Sequence, residues 1–88
     1  MLDELLILKK IKGGDIKAFE ELFRRYYFPL CCYAAGITGQ MEVAEEIVEE
    51  LFYVLWKERE RLQIFQSVKS YLYRATRNQS LQYCEHEE

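Results

Sequence analysis

The chain has 88 residues, half of them hydrophobic and 31% charged, with a formal net charge of −3. That length allows one domain with a small core, and the composition is that of a globular domain rather than a disordered one. No apolar run approaches the ~20 residues that cross a bilayer, and the opening Met1-Leu2-Asp3-Glu4 lacks the basic-then-apolar pattern of a secretory signal, which predicts a cytoplasmic protein.

Leu2, Leu5, Leu6 and Leu8 predict a short amphipathic first helix that stops at Gly13-Gly14. Asp15 is placed to cap a second helix, whose apolar stripe is Ala18, Phe19, Leu22, Phe23, Tyr26, Leu30, Tyr33 and Ile37. Pro29 is expected to interrupt and kink that helix, because its ring clashes with the preceding turn and it brings no N–H. Gly36 and Gly39 flank Thr38 at its end. Tyr26, Tyr27, Phe28 and Tyr33 read as core aromatics. Cys31 and Cys32, neighbours on this helix, point about 100° apart and cannot share a tetrahedral metal without help. With Cys84 they make an odd count and no C-x-x-C spacing, so all three read as reduced structural thiols.

A third helix is marked by Ala44, Ile47, Val48, Leu51, Val54 and Leu55 at i, i+3, i+4, i+7 spacing. Opposite lie Glu42, Glu45, Glu46, Glu49 and Tyr53, with Glu50 on the flank. Carboxylate metal sites in helical bundles face inward and usually include a Glu-x-x-His pair, whereas the single histidine here is His86. The glutamate face is therefore either solvated or directed at a basic partner. Residues 62–66 link to a fourth helix capped near Ser67, with Val68, Leu72, Ala75 and Tyr83 as its stripe and Ser70, Tyr73, Arg74 and Arg77 pointing away. Tyr71 and Tyr73 beside Arg and Lys form the kind of surface that holds single-stranded bases. A phosphate loop, a nucleophile elbow and a Ser/His/Asp set are all missing, which predicts a binding protein and no catalytic activity.

Charge is divided along the chain. Residues 1–56 carry six basic and ten acidic side chains, while residues 57–84 carry Lys57, Arg59, Arg61, Lys69, Arg74 and Arg77 against Glu58 and Glu60. Glu85, Glu87 and Glu88 then make an acidic tail. An acidic surface and a basic one suit different partners. The expected architecture is an all-α, four-helix bundle over residues 1–84, followed by the tail at 85–88.

The order of the motifs resembles region two of extracytoplasmic-function (ECF) sigma factors over nearly the whole chain. Gly14-Asp15-Ile16-Lys17-Ala18-Phe19-Glu20-Glu21-Leu22-Phe23-Arg24-Arg25-Tyr26-Tyr27 is similar to the opening of that region, and Ile37-Thr38-Gly39 follows at the expected distance. Ala44-Glu45-Glu46-Ile47-Val48-Glu49-Glu50-Leu51-Phe52, ending in Leu55-Trp56, resembles the family's polymerase-binding helix. Ser67-Val68-Lys69-Ser70-Tyr71-Leu72-Tyr73-Arg74-Ala75-Thr76-Arg77-Asn78 resembles its promoter-opening helix.

The resemblance implies that the chain binds core RNA polymerase, on the clamp helices of the largest subunit, through Glu45, Glu46, Glu49, Glu50 and Tyr53. The family's acidic–x–x–Gln–Glu pattern falls on Glu46, Glu49 and Glu50, with Glu49 standing where glutamine is usual. It further implies recognition and melting of the promoter minus-ten element, the non-template strand meeting Lys57, Arg61, Ser67, Lys69, Ser70, Tyr71, Tyr73, Arg74, Arg77 and Asn78. An anti-sigma factor is an additional partner of the family; no cofactor, metal, small-molecule substrate or membrane insertion is implied. The family's second DNA-binding domain, which reads the minus-thirty-five element, is not within these 88 residues, as expected of a domain fragment or a truncated product. The residues by themselves leave two rivals open: a helical protein-interaction module without DNA contact, and a helix-turn-helix regulator that reads duplex DNA.

Overall fold

The computed structural model describes residues 3–63 and 67–87. Four α-helices follow one another, α1 (Glu4–Lys12), α2 (Ile16–Thr38), α3 (Met41–Lys57) and α4 (Val68–Glu87), with a 3-10 turn, η1 (Arg59–Arg61), after α3. No strand occurs among the described residues, so the expected all-α four-helix architecture is the observed one. The long α2 is central and packs against each of the other three helices.

Asp3 starts α1 by accepting the Leu5 N–H at 3.1 Å. The buried residues of α1 are Ile7, Leu8 and Ile11, while Leu5 and Leu6 stand exposed. The leucine stripe expected from the sequence is thus out of phase, and Leu2 lies outside the described residues. The helix turns its isoleucines to the core because Ile7 and Ile11 sit one turn apart on the side facing α2. At its C-terminus Gly14 adopts φ +90°, and the Asp15 N–H returns to the Lys10 carbonyl at 3.0 Å. That positive φ is the reason a glycine stands there.

Asp15 caps α2 as expected, its Oδ1 accepting the N–H groups of Lys17 at 3.0 Å and Ala18 at 3.2 Å. The helix is not interrupted at Pro29. Pro29 is exposed, so its missing N–H removes no hydrogen bond from the core. Ala18, Leu22, Tyr26, Leu30, Cys31 and Ala34 are buried, and Phe28, expected inside, is 68% exposed. Tyr33 also stands at the surface. The helix closes at Gly39, where φ is +80° and the N–H meets the Ala35 carbonyl at 2.8 Å.

Between α2 and α3 lies an aromatic cluster centred on Phe52, a residue outside the expected stripe and only 1% exposed. Phe23 meets its ring at 5.0 Å and Phe19 at 6.1 Å, and Phe19 also packs on Trp56 at 5.1 Å. The buried side of α3 runs through Ala44, Val48, Phe52 and Leu55, which rotates Val54 out to the surface. In α4 the Ser67 hydroxyl accepts the Ser70 N–H at 3.2 Å, the cap the sequence suggested. Its buried row is Val68, Leu72, Thr76 and Ser80, whereas Ala75 and Tyr83 are half-buried. Ser80 satisfies its hydroxyl by donating to the Thr76 carbonyl at 2.7 Å, so a polar side chain enters the core at little cost. Glu85 and His86 belong to the last turns of α4.

Two polar contacts tie the helices together. Glu4 of α1 accepts from Tyr26 Oη at 2.6 Å and from Arg25 at 3.1 Å, and Arg25 also reaches Glu21 at 3.3 Å. Cys84 Sγ donates to the Ile37 carbonyl at 3.4 Å, joining the end of α4 to the end of α2. Cys31, Cys32 and Cys84 are all free thiols, and burial pushes the Cys31 thiol above its ordinary range. In the linker, Leu62 is buried; Ile64, Phe65 and Gln66 lie outside the described residues.

Candidate functional site

The glutamates of α3 divide between two flanks. Glu49 faces α2, where Tyr27 donates its hydroxyl to Oε2 at 2.9 Å. Burial, reinforced by that hydrogen bond, raises the Tyr27 phenol far above its ordinary value. Glu45 is half-buried. Glu42, Glu46 and Glu50 are exposed, as is Tyr53, whose ring sits 5.9 Å from the Lys57 ammonium. On the other flank, Glu46 and Glu50 border a groove of about 410 Å³ between α3 and α4. Ile47, Leu51 and Val54 line it from α3, and Tyr71 and Tyr83 from α4.

On α4, Lys69, Ser70, Arg74, Arg77 and Asn78 are exposed, together with the capping Ser67. Among the described residues Lys69, Arg74 and Arg77 enter no ion pair, which leaves three cations available to a ligand. Arg61 lies 3.8 Å from Glu58 in an exposed pair of small energetic consequence. The two tyrosines part company. Tyr71 is 38% exposed and lines the groove, while Tyr73 is half-buried and meets Tyr33 edge-to-face at 5.1 Å. The expectation that Tyr73 points away beside Arg74 is therefore corrected: α4 packs against both α2 and α3, and Tyr73 falls on the α2 side.

Arg59 lies over the Trp56 ring at 4.3 Å and donates to the Trp56 carbonyl at 3.0 Å, closing the C-terminal turn of α3. Among the described residues no group of His, Cys, Asp and Glu could hold a metal ion, and no helix is long and apolar enough to cross a membrane. The arrangement is one of binding surfaces: an acidic edge, an apolar groove and a basic helix face, side by side.

The family model for sigma-70 region 2 matches residues 22–88. The chain belongs to the sigma-70 region 2 family. Its fold is similar to the NMR structure of an engineered region 2 of sigmaE in complex with GTAAAA, with a TM-score of 0.81 at 21% identity, covering 98% of this chain and 90% of that one. No curated protein matches the chain. The family match begins within α2, and the structural likeness extends the region-two fold over α1 as well. In this region-two domain the acidic edge and the basic face occupy consecutive helices and meet at the groove. Tyr33, which backs Tyr73, and Tyr83, in the groove, escaped the sequence reading. Their only signal was spacing, since Tyr71, Ala75, Gln79 and Tyr83 recur every four residues along one side of α4.

Proposed function

We propose that this region-two domain works by binding, in the cytoplasm: it docks on the clamp helices of the largest subunit of core RNA polymerase through α3, and holds the non-template strand of the minus-ten element with α4. The observation that carries this reading is the separation of charge onto neighbouring helices of a sigma-70 region 2 fold. The exposed carboxylates Glu42, Glu46 and Glu50 on α3 suit a basic protein surface, and the unpaired Lys69, Arg74 and Arg77 on α4 suit phosphates. The relative of the same fold, region 2 of sigmaE, is in complex with GTAAAA.

Opening a duplex without a nucleotide fuel requires interactions that exist only with the separated strand. Extracting one base costs a few kcal/mol, and one base–aromatic stack returns about 1–3 kcal/mol, so a single well-placed ring covers much of the cost. Tyr71 is the exposed ring on α4, and Ser70 and Asn78 offer hydrogen bonds beside it. An anti-sigma factor would act by covering one of the two surfaces.

Fluorescence anisotropy tests the reading. A labelled GTAAAA strand and a matching duplex are titrated with the domain, each with and without core polymerase. The expected result is weak single-strand binding by the domain alone, strengthened when polymerase holds the domain beside the strand. Polymerase association without any DNA binding would leave a protein-interaction module; tighter binding of duplex than of single strand would leave a duplex-reading regulator.

A further inference from the structure

Glu46 and Glu50 differ from the other carboxylates of α3 in what lies beside them. They are exposed, one helical turn apart, and no ion pair or hydrogen bond engages either among the described residues. Next to them runs the groove, with Ile47, Leu51 and Val54 on one wall and Tyr71 on the other. Val54 is 42% exposed and Tyr71 38%, so apolar surface is concentrated in a concavity with an acidic rim. Concave apolar surface rimmed by charge marks an interaction site rather than scattered surface hydrophobicity. Glu49, one turn around the helix, is instead engaged by Tyr27.

Resting on the polymerase-binding reading above, we propose that the protein partner lays an amphipathic helix along the α3/α4 groove. Its apolar side chains pack on Ile47, Val54 and Tyr71, and two lysines or arginines one turn apart meet Glu46 and Glu50. Carboxylates one turn apart on one helix are matched by cations with the same spacing on another. The acidic rim repels phosphate, so a nucleic acid does not fit, and the apolar walls give a helix-in-groove mode its anchors. Tyr71 then belongs to the protein interface before any DNA is present. The docking surface crosses from α3 onto α4, and one side chain serves both partners.

The test is a titration of the fluorescently labelled domain with core RNA polymerase in the absence of DNA. Tyr71→Ala, Val54→Asp and the double variant Glu46→Lys/Glu50→Lys are each expected to weaken association at least about tenfold, the scale of an interface hot spot. Tyr71→Phe, which keeps the ring, and Glu20→Lys, a charge reversal on exposed α2 surface, are expected to bind as the unsubstituted domain does. Circular dichroism melts accompany each variant; the substituted side chains are partly or largely exposed, so the fold is expected to survive. Unaltered binding by Tyr71→Ala and Val54→Asp overturns the groove while leaving α3 docking intact. Absence of binding by the unsubstituted domain overturns both readings. Self-association of the domain that Tyr71→Ala abolishes gives the groove to a second copy of the chain and likewise overturns the proposal.

Discussion

Tyr26 shows how a single hydroxyl links helices and pH. Its ring is buried and its Oη donates to Glu4 at 2.6 Å across the α1/α2 interface. Burial, then the Glu4 carboxylate, push the phenol up to about 12 from an ordinary 10. A group whose folded pKa is raised stabilises the fold fully below its unfolded value and loses that contribution as pH climbs through the folded value. Stability should therefore decline between about pH 10 and 12, and more gently in Tyr26→Phe, as denaturant melts across that range would read. At neutral pH the same variant should lose about 1–2 kcal/mol, because Glu4 keeps Arg25 as a partner and is not left wholly unpaired. Position within a core also sets the cost of truncation. Phe52 is buried between Phe19 and Phe23, so Phe52→Ala should cost about 3–5 kcal/mol. Leu51 reads as core from its spacing, yet it is half-buried at the groove, and Leu51→Ala should fall well below the ~2–5 kcal/mol of a fully enclosed leucine. Equal losses for the two variants would contradict the packing described.

At the scale of the helix, ends were more legible than faces. Asp15 and Ser67 announce their caps because a short polar side chain before an apolar period has few other uses. Asp15→Ala should cost about 1 kcal/mol in a denaturant melt, since two N–H groups lose their acceptor. Gly39→Ala should cost a similar ~1 kcal/mol, for an alanine at φ +80° pays for a left-handed backbone. An unchanged midpoint in either variant would mean that the cap is dispensable. Faces were harder to read because a helix packed on two neighbours has a wider buried arc than one stripe. Phe52 and Val54 traded places in α3 for this reason, as Phe52 fills the α2 side while Val54 looks into the groove. Thr76 and Ser80 escaped because polar residues read as exposed, although Ser80 carries its own acceptor one turn back. In α1, isoleucines outcompete leucines for the interior, which no simple apolar count distinguishes. Of the candidate site, the acidic and basic helices were legible from charge alone. The opposite orientations of Tyr71 and Tyr73, and the splitting of the α3 glutamates, depend on where α2 lies and required the fold.

The whole molecule sets acidic α3 beside basic α4, and that neighbourhood fixes how salt should act. Packed helices lie about 8–10 Å apart, comparable to a Debye length of about 8 Å at physiological ionic strength. Carboxylates on α3 are thus felt by a strand lying on α4, and added salt weakens this repulsion together with the attraction of the cations. Lys69, Arg74 and Arg77 are the unpaired cations of α4, whereas Lys57 lies by Tyr53 and Arg61 by Glu58. Three phosphate contacts on a single strand give a log–log salt slope of about −2. With the glutamates in place the isolated domain should show a shallower slope and weak affinity even at low salt. Replacing both Glu46 and Glu50 with glutamine keeps the size of each side chain and removes two charges. That variant should bind a labelled single strand more tightly at low salt and show a steeper slope, approaching the three-contact value. The two proteins should converge at high salt, where repulsion is screened. Anisotropy titrations over a salt series decide the matter. Parallel slopes for the two proteins would place the strand out of reach of α3. A slope much steeper than −2 in the unsubstituted domain would bring in cations from outside α4, with the exposed lysines of α1 and the start of α2 the next to test.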